Sequence, residues 1–350
     1  YGISGSTQLT TIAETLRARA ADQASWHILG GLALVLIFAG LGFRIAAVPF
    51  HFYAPDVYQG TTNGNAALLS VIPKVVGFAA LIRVTTLAMP TLETYGWRLA
   101  LILALLTMTV GNVLALWQDN LRRLFAYSSI ANAGYMLIGI AAAFAVNLQT
   151  GTPGALNGVD AAVFYLVIYS LATVGTFAVF TWLGSRERPV EHISDLEGVG
   201  RTHPISGVML AVFMFSLAGI PPLAGFWGKF EVFFAALGVR EAQDAAVAGL
   251  GNWFVFLVVV GALNAAIAAA YYLRLIGVAY FKPARATLKS EGGLASFVAG
   301  AVAAVLTVVI GLAPGPLLNK ADAVLTPAQA EQGIPSAQAP AAQQVVQAQP

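Results

Sequence analysis

Residues 206–237 read SGVMLAVFMFSLAGIPPLAGFWGKFEVFFAAL, an apolar run too long to cross a bilayer as one straight helix. At 1.5 Å per residue it would measure roughly 48 Å, against a hydrocarbon core of about 30 Å. Within it, Gly219-Ile220-Pro221-Pro222-Leu223-Ala224-Gly225 sets two prolines side by side. Proline removes a backbone donor and clashes with the preceding turn, so a helix is expected to break at Pro221 and Pro222. Irregular backbone at membrane depth is tolerated only where it is buried in protein or lines water. Such a break therefore implies a bundle of several spans around a polar interior.

The rest of the chain agrees. Hydrophobic residues make up 58% and charged residues 10%, with a mean hydropathy of +0.76, whereas soluble domains carry roughly 25% charge. Apolar runs long enough to span lie near 28–50, 64–89, 97–117, 124–146, 160–184, 206–237, 250–281 and 295–318, about eight in all. The run 250–281 also exceeds a straight crossing and must tilt, break or protrude. The run 28–50 carries a second candidate break at Pro49. Broken helices in two parts of one chain point to a transport site built from related repeats. The expected fold is an all-α polytopic transmembrane bundle: a polar segment over 1–27, a membrane module over 28–318, and an Ala/Gln/Pro tail over 319–350 expected to be disordered. Tyr1 opens a stretch with no signal-peptide features, and the chain reads as a fragment of a longer protein.

Several functions are excluded. The chain has no cysteine, hence no disulfide, thiolate metal site or cysteine-ligated iron–sulfur cluster. A net charge of +2 spread over loops does not suit nucleic acid. His51, His192 and His203 lack ligand spacing, so no metal site is expected. Gly151-Thr152-Pro153-Gly154 lacks the strand and helix context of a nucleotide loop. Lys and Arg are richer on one side, at Arg122, Arg123, Arg186, Arg188, Arg201, Lys282, Arg285 and Lys289, than on the other, at Arg17, Arg19, Arg98, Arg240 and Lys320. The richer side, together with His51 to Gly60, is expected to be cytoplasmic and both chain ends periplasmic.

A lysine at the bilayer centre costs about 2.5 to 3.5 kcal/mol on insertion scales, so intramembrane charges are functional candidates. Lys74 lies roughly 15 Å or more from either interface, beyond a snorkelling reach. Lys229 follows the double-proline break, and Arg44 precedes Pro49 close enough to the span's end to snorkel. Arg83 and Arg274 read as snorkelling anchors. Only Glu231 among the acids falls well within a span, so these cations lack counter-charges here. The competing reading makes all three candidates interface anchors or packing charges. Polar stripes occur at helical spacing: Ser128, Asn132 and Tyr135 on one face, and Tyr165, Tyr169, Thr173 and Thr176 on another. They suit either a chain of waters between charges or hydrogen bonding between helices.

The string Val48-Pro49-Phe50-His51-Phe52-Tyr53-Ala54-Pro55-Asp56-Val57-Tyr58-Gln59-Gly60 resembles the signature of the subunit N family of NADH-quinone oxidoreductase, respiratory complex I. So do Arg122-Arg123-Leu124-Phe125-Ala126-Tyr127-Ser128-Ser129-Ile130, Ser216 to Phe226 with Lys229-Phe230, and Tyr271-Tyr272-Leu273-Arg274, in the family's order. The resemblance covers roughly residues 1–318. It implies a fourteen-helix antiporter-like fold with inverted repeats, of which this chain would hold the last eight helices, the family's glutamate lying upstream. The family's central lysines map onto Arg44, Lys74 and Lys229. NADH, FMN, iron–sulfur clusters and quinone are implied on other subunits, with other membrane subunits, lipid and protons as partners in a bacterial inner membrane. Three positions depart from the pattern. Arg44 replaces a lysine, and a guanidinium stays charged where an ammonium can release its proton. Asn132 stands at a position that is often histidine, and Glu231 where an aromatic is common.

Three functions follow from this reading. In the first, the chain translocates protons through Lys74, Lys229 and Arg44, with Ser128, Asn132, Tyr135, Tyr169 and Thr173 along a water path. The second is a Mrp-type cation/proton antiporter subunit. The third is an inert membrane scaffold.

Overall fold

In the computed structural model, residues 2–20, 24–84, 92–147, 158–185, 187–241, 251–284, 288 and 290–318 are described. Their regular elements are helices: α1 (Leu9–Ala20), α2 (Ala24–Ile45), α3 (Tyr53–Gln59), α4 (Asn63–Arg83), α5 (Glu93–Leu116), α6 (Leu121–Asn147), α7 (Gly158–Leu183), a short 3-10 turn (Ile193–Leu196), α8 (Val199–Thr202), α9 (Pro204–Ala218), α10 (Ala224–Glu241), α11 (Gly251–Phe281) and α12 (Leu294–Leu312). Seven of them, α2, α4, α5, α6, α7, α11 and α12, are long and apolar enough to cross a membrane. The break separates α9, an apolar helix of 15 residues, from α10, of 18. The expected tail and the loop positions Arg186, Arg285, Lys289 and Lys320 lie outside the described residues, as does Gly151 to Gly154.

The centre of the bundle is α6, 94% of whose span is buried. It lies against α5 at very close range because glycines face the partner backbone. A Cβ on Gly134 would come 2.4 Å from the Met108 nitrogen, and one on Gly111 would come 2.6 Å from the Ala131 nitrogen. Small residues permit this kind of approach in membranes, where packing rather than the hydrophobic effect joins helices. The outer helices expose large apolar side chains, among them Leu36 on α2, Leu263 on α11 and Val305 on α12. Such a surface suits lipid and not water.

Both breaks exist, in different forms. Helix α9 stops at Ala218, where Gly219 takes a left-handed conformation (φ 88°) and its N–H and that of Ile220 bond back to Phe215 O. Glycine adopts this geometry without a Cβ clash. Pro221 and Pro222 then occupy the connection, and the Gly225 N–H donates to Ser216 Oγ across the break at 3.0 Å. The first break corrects the expected boundary of 28–50. Helix α2 ends at Ile45, before Pro49, because Ala46 turns into the left-handed region (φ 59°). The Val48 N–H donates to Thr107 Oγ1 of α5 at 3.0 Å rather than to a helical carbonyl. The stretch from His51 to Gly60 contains α3. The long run 250–281, by contrast, stays one continuous helix.

Candidate functional site

The sequence puts hydroxyls and amides on successive turns of α6, and the structure turns that face toward two lysines. Lys74 is buried (3% exposed) in the middle of α4. Its Nζ donates to Ser129 Oγ of α6 and sits 5.9 Å from the centre of the Tyr169 ring of α7. Ser129 Oγ in turn lies 3.3 Å from Tyr58 OH of α3, and the Tyr169 hydroxyl donates to Ser70 O at 3.5 Å.

One residue earlier on α6, Ser128 Oγ bonds Tyr272 OH of α11. One turn further on, the Asn132 amide donates to Ser128 O at 2.8 Å and reaches Tyr272 OH at 3.4 Å. It also accepts from the Tyr165 hydroxyl of α7 at 2.6 Å. The Tyr165 and Tyr135 rings meet edge to face at 6.2 Å. Behind Tyr135, Asn112 of α5 donates to its hydroxyl (3.3 Å) and to Asn264 of α11 (3.3 Å), and accepts from Tyr271 (3.1 Å).

Lys229 ends the row, buried (5% exposed) on α10, with Nζ 5.2 Å from the centre of the Tyr135 ring. Its Nζ donates to Leu217 O and Ala218 O at 2.8 and 2.9 Å. These carbonyls belong to the last turn of α9, where a helix leaves acceptors without intrahelical partners and carries the negative end of its dipole. Both ammonium groups are therefore held by neutral oxygens and ring faces. Four ion pairs among the described residues lie elsewhere: Arg122–Glu191, Arg123–Asp56, Arg274–Asp119 and Lys282–Glu197 sit at the loop end where α4 and α6 begin.

Of the residues singled out from sequence, Lys74, Lys229, Ser128, Asn132, Tyr135 and Tyr169 come together along this row, and Thr173 is buried on α7 beside it. Arg44 does not join them. It is exposed on the last turn of α2, because that turn presents Ile45, not Arg44, to the core. Arg274 reaches the loop end, where it pairs with Asp119 at 2.7 Å. Glu231 is buried two residues beyond Lys229. Sequence reading passed over Tyr58, Asn112, Ser129, Asn264 and the packed pair Tyr271 and Tyr272. Asn112 and Asn264 carried a signal, as lone amides deep inside apolar runs.

Residues 1–254 match the family described as NADH:quinone oxidoreductase/Mrp antiporter, TM. NADH-quinone oxidoreductase subunit N of Trichlorobacter lovleyi is 41% identical over 283 residues, which is 81% of this chain and 53% of that protein. Among solved structures, respiratory complex I from Thermus thermophilus with bound aureothin superposes with a TM-score of 0.69 at 34% identity, covering 91% of this chain and 62% of the other. The Mrp complex from Dietzia also superposes at 0.69, covering 92% of this chain and 62% of that one, but at 19% identity, a likeness of fold alone. The chain spans 53 to 63% of the length of the relatives it matches.

Proposed function

The chain belongs to the NADH:quinone oxidoreductase/Mrp antiporter transmembrane family, and on that premise we propose that it forms part of a proton-translocating membrane subunit of a bacterial NADH-quinone oxidoreductase. The observation that carries the proposal is the row of buried hydroxyls and amides between Lys74 and Lys229, two ammonium groups that donate to a serine hydroxyl and to backbone carbonyls. A buried ammonium held by neutral dipoles can exchange its proton more readily than one locked to a carboxylate.

In this reading Lys74 and Lys229 are the carriers. The hydroxyls of Ser129, Ser128, Tyr272 and Tyr165 each accept one proton while giving up their own, and Asn132 holds three of them in line. Water completes the row between Ser129 and Ser128 and between Tyr135 and Lys229. Arg44, always charged, supplies a fixed positive field at the end of α2. The NADH-to-quinone reaction and its FMN, iron–sulfur and quinone groups belong to other subunits. A change in the field reaching this module alternately favours loading and release of the two lysines. The loop end rich in Arg and Lys faces the cytoplasm, across the inner membrane.

The test is proton uptake coupled to NADH oxidation in membrane vesicles, normalised to assembled complex, for Lys74→Ala and Lys229→Ala. Each should lower pumping more than it lowers assembly. Wild-type pumping in both variants would leave the scaffold role standing.

A further inference from the structure

We propose that Arg122 and Glu191 form a gate: an ion pair that floors a polar cavity at the loop end and parts to admit water along α4 to Lys74. The inference rests on the translocation reading above and adds to it a named pair that controls access from one face.

The cavity is open and about 900 Å³, lined by Thr61, Asn63, Arg122, Ser185, Glu191 and Glu291 among others. At about 30 Å³ per water it holds on the order of thirty molecules. The starts of α4, α6 and α12 and the end of α7 surround it, on the side where the ion pairs gather. Arg122 stands at its base, with Nη1 donating to Thr61 O at 2.5 Å and Nη2 paired to Glu191 Oε1 at 2.6 Å. The segment carrying Glu191 is pinned beside it: Leu121 N–H donates to Glu191 O at 2.7 Å, and Asn63 Nδ2 donates to Val190 O at 3.1 Å.

Two polar atoms at this closure are left without partners, Arg122 Nε and Asn63 Oδ1, on residues 7% and 6% exposed. One is a donor and the other an acceptor. In the opened, wetted arrangement water can accept from the first and donate to the second, and no anion is called for, because Glu191 balances the guanidinium. Unmet groups of this kind raise the free energy of the closed arrangement and narrow its margin over an opened, wetted one. A purely structural clasp gains nothing by leaving them unmet.

Beneath the closure, α4 carries Asn63, Ala66, Ser70 and Lys74 on one buried face, at spacings of three and four residues. The side chains between Asn63 and Lys74 on that face are small, and the distance along the axis is roughly 16 Å. Glu191 is the partner that can swing into the cavity's water, since its side chain is 35% exposed, while Arg122 keeps its bond to Thr61 O and water takes the place of the carboxylate.

The absence of cysteine from the chain makes a labelling test direct. Ala66→Cys, one turn beneath Asn63, is reacted with a small charged methanethiosulfonate in the detergent-solubilised complex, and modification is read on this chain. Reaction should be at least tenfold faster with Glu191→Gln than with Glu191 intact, and should stay slow with Glu191→Asp, which keeps the charge. Ser185→Cys at the rim should react fast throughout, reporting a folded cavity. Equal rates at Ala66→Cys with and without Glu191→Gln overturn the gate, whether both are slow or both are fast. Should Glu191→Gln fail to assemble, Arg122→Lys, which keeps the charge and drops the guanidinium fork, must itself speed labelling, and an unchanged rate there overturns the gate. Labelling needs no turnover, so a chain that pumps nothing can still show the gate, and a pumping chain can lack it.

Discussion

Asn132→Leu tests the row at its hub. The substitution keeps the branched shape of the side chain and its number of heavy atoms, so the disturbance to packing around α6 is limited. What it removes is the acceptor of the Tyr165 hydroxyl at 2.6 Å and the donor to Ser128 and Tyr272. Ser128 and Tyr272 still bond one another, whereas the Tyr165 hydroxyl, fully buried on α7, is left without its acceptor. An unmet buried hydroxyl costs about 1–3 kcal/mol. At about 1.4 kcal/mol per tenfold, the arrangement with Tyr165 aligned falls roughly 5- to 150-fold in population. Proton uptake per assembled complex during NADH oxidation should drop by at least half, while assembly changes little. Asn132→His, which restores hydrogen bonding at this position, should retain most of the activity. Wild-type uptake in Asn132→Leu at wild-type assembly would refute the role of the row, because its central link would then be dispensable.

Gly134→Ala should destabilise the α5–α6 contact by about 1–3 kcal/mol through overpacking, since the new Cβ meets the Met108 nitrogen at 2.4 Å. Gly277→Ala, with open space around it, should instead be neutral or stabilising by about 0.5–1 kcal/mol, and thermal melting of the purified complex separates the two. Thr107→Val should cost about 1–3 kcal/mol by stranding the Val48 N–H, seen as faster proteolysis between α2 and α3; an unchanged cleavage rate contradicts the assigned hydrogen bond. Arg44→Lys should keep pumping, whereas Arg44→Ala should impair it through loss of the fixed charge, with equal pumping in the two ruling out the field. Ser185→Cys should be labelled from the cytoplasmic face alone, and labelling from the periplasm reverses the orientation.

Much of the architecture was legible because membrane spans are long, apolar and repetitive, and because Pro221 and Pro222 cannot continue a helix. The boundary at Pro49 was less so. Nothing local in Ile45-Ala46-Ala47 announces a left-handed turn at Ala46, and the Val48 N–H finds its partner 59 residues away, on Thr107. Lys74 was legible from its depth and Lys229 from the break that it follows. Their partners were not, since helical spacing ranks side chains by face but cannot say which neighbouring helix that face meets. Hence Ser129 was passed over beside Ser128, although it is Ser129 that bonds Lys74. Arg44 stands apart from the row: the helix register turns it outward, as its closeness to the span's end allowed.

The double proline does more than interrupt a helix. In a continuous helix through 206–237, Leu217 O and Ala218 O would be spent on the N–H groups of residues 221 and 222, which proline cannot supply. Ending α9 at Gly219 frees these carbonyls, and the resumed helix α10 carries Lys229 back to within 2.8 and 2.9 Å of them. The same break thus creates the acceptors and positions the donor. Neutral acceptors suffice to hold an ammonium in place, while a carboxylate would hold its proton as well. That separates the interior from the loop end, where Arg123, Arg274 and Lys282 each face an acid and where full neutralisation fixes structure. If the distinction is sound, placing a carboxylate beside Lys229 by Gly219→Asp, whose Cβ would lie 3.4 Å from Nζ and whose side chain tolerates a left-handed backbone, should leave the complex assembled while it abolishes pumping. A variant that assembled and pumped normally would show that neutral partners are not what makes this lysine a carrier.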